Sequence, residues 1–192
     1  MSGRERNSVY IPTKERIMSA ALRLFSLKGF KGTTVKDIAK EVDITEGAIY
    51  RHFSSKEEII ESLFERITEE IRKLVKERVL TKEDIASQGE ALAETLLSYA
   101  FDNPDSFRFL TVYHILHENG QKEKLPGSRL LEAFREAYRR KKLRTLPEVA
   151  FSIVIGSVER LFILWELGIV KVQREVLLEE LRSAVRKVLS DP

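Results

Sequence analysis

Thr33, Thr34, Thr45, Tyr50, Arg51, His52 and Lys56 gather hydroxyl, imidazole and cationic groups into one short stretch of the chain. Those groups suit hydrogen bonding and charge pairing to phosphate. Thr33 and Thr34 stand where a helix can begin, so their hydroxyls and the unpaired backbone N–H groups of a first turn can both meet an anion. Gly47 and Ala48 are small enough to let a helix backbone approach base edges, and the Ala48 methyl can touch a thymine methyl. Arg51 can read guanine or hold phosphate. Glu46 is repelled by a polyanion unless it accepts from cytosine N4; its other role is to stabilise the first turn of its own helix.

A second cluster, His114, His117 and Glu118, has the i, i+3, i+4 spacing that can bind a metal on one helical turn. The chain has no cysteine, and it has no zinc motif, Gly-rich phosphate loop, nucleophile elbow or HExxH. No catalytic residue, metal or cofactor is therefore expected, and an enzyme is not.

Two short helices must position the first cluster. Val35, Ile38, Ala39 and Val42 recur at the spacing of one apolar helical stripe, with Thr34 as cap and Asp37 answering three residues on. After a turn at Asp43-Ile44, Thr45 caps a second helix running to His52. Its Ile49 and Phe53 face a core while Glu46, Gly47, Tyr50 and Arg51 face away. This is the geometry of a helix-turn-helix. A preceding helix with Ile17, Ala20, Ala21, Leu24 and Phe25 on one face should begin at the cap Thr13 and stop at Gly29.

From Thr13 to Ile60 the chain resembles the DNA-binding domain of the TetR family of transcriptional repressors. The resemblance is carried by Phe25, Lys28-Gly29-Phe30, Thr33-Thr34, Asp37-Ile38-Ala39, Thr45, Gly47, Ile49-Tyr50, Phe53 and Ser55-Lys56-Glu57. It departs at the turn, where Val42-Asp43 replaces the usual small pair; Asp tolerates the left-handed backbone a tight turn needs. The resemblance implies DNA contacts at Thr33, Thr34, Thr45, Glu46, Gly47, Ala48, Tyr50, Arg51, His52 and Lys56, the last as the family's phosphate-binding lysine. It also implies double-stranded DNA with a palindromic operator as partner, and a homodimer built through the last two helices.

Charge distribution agrees with a polyanion at this end. Residues 1–60 hold 11 Lys and Arg against 8 Asp and Glu, and the remainder holds 22 of each. No apolar run is long enough to span a bilayer and no signal peptide is visible, so a cytoplasmic protein is expected. Three divisions follow: an arm at 1–12, with Arg4 and Arg6 able to reach a minor groove; a helix-turn-helix domain at 13–54; and a helical ligand-binding and dimerisation domain at 55–192. The fold class is all-α, with about nine helices.

Beyond Lys56, a long helix carries Ile60, Leu63, Phe64, Ile67, Ile71, Leu74 and Val75 on one face to about Leu80. Further helices are expected at Ile85–Phe101, Asp105–Glu118, Ser128–Lys142, Val149–Gly168 and Arg174–Ser190. Arg139-Arg140-Lys141-Lys142 reads as a solvated helix end. The resemblance implies a small hydrophobic or amphipathic ligand among helices 4 to 8, such as a fatty acid, an acyl-coenzyme A or a lipophilic drug. Phe109, Tyr113, His117, Phe134, Tyr138, Phe151 and Trp165 are the candidates for its walls. The alternative is a DNA-bound adaptor that positions a protein partner without any inducer.

Overall fold

The computed structural model describes residues 11–116 and 128–190, and among them every regular element is a helix. Arg4, Arg6, His117, Glu118 and the polar stretch 121–126 lie outside the described residues. The described part divides into two compact units between Phe64 and Glu65.

The first unit opens with α1 (Thr13–Gly32). Thr13 is its first helical residue rather than its cap. Pro12, extended at φ −54° and ψ 143°, holds the cap position, and its carbonyl accepts from the Arg16 N–H at 3.1 Å. Ile17, Ala21, Leu24 and Phe25 are buried. At Gly29 the backbone turns to φ 71°, a conformation that favours glycine, so the helix breaks where a stop is expected and one further turn follows. Phe30 then returns to pack edge-on against Phe25, with centroids 5.4 Å apart.

α2 (Val35–Val42) and α3 (Glu46–Tyr50) follow, α1 packing on α2 and α2 on α3. The Thr34 hydroxyl accepts from the Asp37 N–H at 3.1 Å while the Asp37 carboxylate accepts from the Thr34 N–H at 2.9 Å, a complete capping box. Asp43 takes φ 57° and ψ 54°, and the Ile44 N–H reaches the Ala39 carbonyl at 3.0 Å. This left-handed residue with its long return bond closes the helix and makes the turn. The Arg16 guanidinium donates to the Val42 carbonyl at 2.6 Å, tying α1 to the same turn.

α4 (Lys56–Arg78) runs from the first unit into the second, about 34 Å at 1.5 Å per residue. It ends two residues before the expected Leu80, which is exposed. The second unit also holds α5 (Ile85–Asp102), α6 (Pro104–Leu116), α7 (Ser128–Arg139), α8 (Pro147–Glu166) and α9 (Arg174–Leu189). α5 is its centre, in contact with α6, α7, α8 and α9. A Cβ on Gly89 would stand 2.1 Å from Leu189 Cδ1, so a glycine here is what lets α9 lie close on α5. Beside it Glu90, nearly buried, pairs with Arg186. The Tyr99 hydroxyl donates to Glu70 at 2.8 Å, and Arg108 holds Glu166 with Nη2 to Oε1 at 2.7 Å.

α8 is buried along Ala150, Val154, Val158 and Phe162. Its opposite side leaves Val149 and Ile153 in solvent, next to an exposed Gly156, and Leu167 and Ile169 after it are about two-thirds exposed. On α9 the buried stripe is Leu177, Leu181, Val185 and Leu189, and Ala184 is exposed.

Candidate functional site

α3 presents a short surface whose residues differ sharply in exposure. Thr45, Glu46, Gly47, Tyr50, Arg51 and His52 are exposed and Ala48 is half-buried, while Ile49 and Phe53 are at most 1% exposed. The Thr45 hydroxyl accepts from the Ala48 N–H at 3.1 Å and so caps the helix; its oxygen retains a proton to donate outward. Because Ile49 and Phe53 anchor one side, the opposite side must face solvent.

Two residues expected to meet phosphate are engaged inside the unit. Thr33 is fully buried, and its hydroxyl lies 2.9 Å from the Gly29 carbonyl and 3.2 Å from that of Leu24. Its hydroxyl braces the end of α1, a contact that spacing alone could not supply. Thr34 is exposed, with its hydroxyl donating to Asp37 at 2.7 Å. Lys56, half-buried, donates to the carbonyls of Phe30 at 2.9 Å and Thr33 at 3.2 Å. An ammonium has three donors, so one remains for a ligand. Near it the Glu58 carboxylate accepts from the Ser54 hydroxyl and N–H, which hold its pKa below the usual range.

In the second unit, a cavity of about 220 Å³ lies among α4, α5, α6 and α8. One face of α6 supplies Phe107, Leu110, Thr111 and His114, at i, i+3, i+4 and i+7. α8 supplies Phe151, Ile155, Val158 and Glu159, with Ile71 of α4 and Leu96 of α5 closing the walls. Burial among apolar groups lowers the His114 pKa and raises that of Glu159. His114 nonetheless keeps accessible surface; it has crowded apolar neighbours and one side open.

Residues 17–63 match the family model for bacterial regulatory proteins of the tetR family. The chain is also 32% identical over 136 residues to the nucleoid occlusion factor SlmA of Aliivibrio fischeri (strain MJ11), covering 68% of each chain. The chain belongs to the TetR family. It is a DNA-binding transcription regulator with an N-terminal helix-turn-helix and an all-α fold. Solved TetR-family structures share that fold. A regulator from Marinobacter aquaeolei VT8 aligns with a TM-score of 0.80 at 15% identity, over 93% of this chain and 96% of its own. The ketosteroid regulator KstR2 of Mycobacterium tuberculosis aligns with a TM-score of 0.77 at 13% identity, over 95% and 97%.

Within this TetR-family chain the residues expected as cavity walls take different positions. Of the six candidates among the described residues, Phe151 lines the void. Phe109 and Phe134 are completely buried and Tyr113 nearly so; Phe134 stands behind Phe151, edge-on with centroids 6.0 Å apart. Tyr138 is 41% exposed. Trp165 packs against Phe101 with centroids 4.7 Å apart, and His117 lies outside the described residues. Both sides of α6 carry large side chains, so spacing cannot say which side borders a void. The usable signal was polar: Thr111 and His114 interrupt the Phe107, Leu110 stripe, as they would beside a space holding something polar.

Proposed function

We propose that this chain is a homodimeric repressor that binds a palindromic operator and releases it when a small lipophilic molecule enters the cavity. It acts as a transcription factor rather than an enzyme, in the cytoplasm where its operator lies. Thr34, Thr45, Gly47, Ala48, Tyr50, Arg51, His52 and the free donor of Lys56 meet the DNA. Glu46 is best assigned to the first turn of α3, as a carboxylate favoured by the helix dipole.

The observation that carries this reading is that one continuous helix, α4, holds both Lys56 and a cavity wall, Ile71. A ligand that displaces Ile71 acts on the helix whose first residue is Lys56. Release follows only when the ligand binds the DNA-incompetent state more tightly than the competent one. Dimerisation through α8 and α9 is supported by the apolar side of α8 at Val149 and Ile153, exposed in the single chain.

Fluorescence anisotropy with DNA from just upstream of this protein's own gene, over a salt series and against random competitor, is the test. Tight binding should survive the competitor, and Arg51→Ala should lower the slope of log affinity against log salt by about 0.9 for one lost phosphate contact. Binding no better than to random DNA would refute operator recognition at that site.

A second reading, a DNA-bound adaptor with no inducer, is favoured by one fact: the likeness to a nucleoid occlusion factor extends well past the DNA-binding segment. Operator affinity that no cavity ligand changes would select it.

A further inference from the structure

The walls of the cavity narrow the chemistry of its ligand, an inference that rests on the pocket being a ligand site. Glu159 is half-buried among Ile155, Val158 and the side chains opposite them. No described residue pairs with its carboxylate. On its own helix the positions that could reach it, three and four residues away, are Gly156, Ile155, Phe162 and Ile163, none of which carries a charge or a donor. Burial without a partner raises its pKa, the response of a carboxylate held out of water with nothing to offset the loss.

The other polar groups on the walls point the same way. The Thr111 hydroxyl gives its proton to the Phe107 carbonyl at 3.1 Å, so toward the cavity it offers lone pairs. Burial lowers the pKa of His114, which disfavours its charged form. Among the described residues no Lys or Arg lines the space. Toward the cavity the described walls therefore present the Thr111 oxygen, the His114 imidazole and one carboxylate, with the faces of Phe107 and Phe151 available to a cation.

We propose that the cavity takes a lipophilic monoamine, its ammonium held by the Glu159 carboxylate with the Thr111 hydroxyl as a second acceptor, and its hydrocarbon body packed between Phe107, Leu110 and Phe151. Fatty acids and acyl-coenzyme A are disfavoured, because their negative charge would meet Glu159 and, among the described residues, no cation. At about 220 Å³, the space exceeds the roughly 150 Å³ of an engineered cavity that holds benzene. One ring with a short chain fits.

Three probes of nearly equal size separate the possibilities: phenylbutylamine, phenylbutanol and phenylbutanoate, titrated calorimetrically into the full chain at neutral pH. The amine should bind about tenfold or more tightly than the alcohol, the usual gain of a charge-assisted hydrogen bond, and the carboxylate weakest. Glu159→Gln should bring the amine to the level of the alcohol, while Glu159→Asp keeps part of the preference; circular dichroism checks that both fold. Phe151→Trp, which fills the space, should weaken all three. Equal binding of the three probes, tighter binding of the carboxylate, or a preference that survives Glu159→Gln would overturn the inference and leave the ligand site standing. Binding of none of them, or amine binding unaffected by Phe151→Trp, would overturn both.

Discussion

The ammonium of Lys56 donates to the carbonyl oxygen of Phe30 at 2.9 Å, joining the first residue of α4 to the segment that follows the break in α1. A second bond, to the Thr33 carbonyl, fixes the backbone just before α2. One side chain thus sets three elements of the DNA-binding unit against each other.

Lys56→Met keeps the aliphatic stem and removes the donors. Two carbonyls then lose a charge-assisted partner, and the variant should be less stable by about 1 kcal/mol, a typical net value for such bonds. The midpoint of urea unfolding reads this directly. An unchanged midpoint would mean that water replaces the ammonium at no cost.

The capping box of α2 should make the first unit sensitive to acid. The Thr34 hydroxyl and N–H hold the Asp37 pKa below its usual 3.8. A carboxylate depressed in the folded state contributes stability that is fully present above its unfolded pKa and is lost as pH falls through the folded one. Unfolding midpoints measured from neutral pH down to strongly acid pH should show a decline beginning below about pH 5. Asp37→Asn should remove part of that decline.

Gly89→Ala tests the contact of α5 with α9. Alanine gains helix propensity by about 1 kcal/mol, yet its Cβ would stand 2.1 Å from Leu189 Cδ1 and 3.3 Å from Val185 Cγ1. Overpacking typically costs about 1–3 kcal/mol, so the net effect should be destabilising by roughly 1 kcal/mol. Gly89→Ala combined with Leu189→Ala should show a favourable coupling in a double-mutant cycle, since the second change makes room for the first.

Ile153→Asp places a charge on the exposed apolar side of α8, where Ile153 is 38% accessible in the single chain. The monomer should fold as before, because the residue faces solvent there. In the proposed homodimer the charge would be buried without a partner, and sedimentation velocity should show a shift toward monomer together with weaker operator binding. A dimer as tight as that of the unmodified chain would place the interface elsewhere.

Local order along the chain was legible wherever neighbours in sequence make the structure. Thr34 with Asp37 and Thr45 with the third residue after it cap their helices as their spacing indicates. Gly29 breaks α1, and Asp43 takes the left-handed backbone that its side chain tolerates. The all-α class and the exposed side of α3 follow from apolar spacing for the same reason: a helix repeats every 3.6 residues, so sequence alone orders its faces.

The tertiary structure decided which of two apolar faces meets a neighbour and which meets a void. Thr33 reads as an exposed helix start, but the return of the chain at Gly29 brings two carbonyls to its hydroxyl. Phe109 and Tyr113 read as pocket walls, but packing takes that side of α6 into the core and leaves Phe107, Leu110, Thr111 and His114 around the space. Glu159 carries no local signal at all, since its meaning comes from side chains on other helices that withhold both water and a partner. Periodicity orders the residues around one helix axis; only the packing of several helices determines where volume is left unfilled and which polar group is stranded beside it.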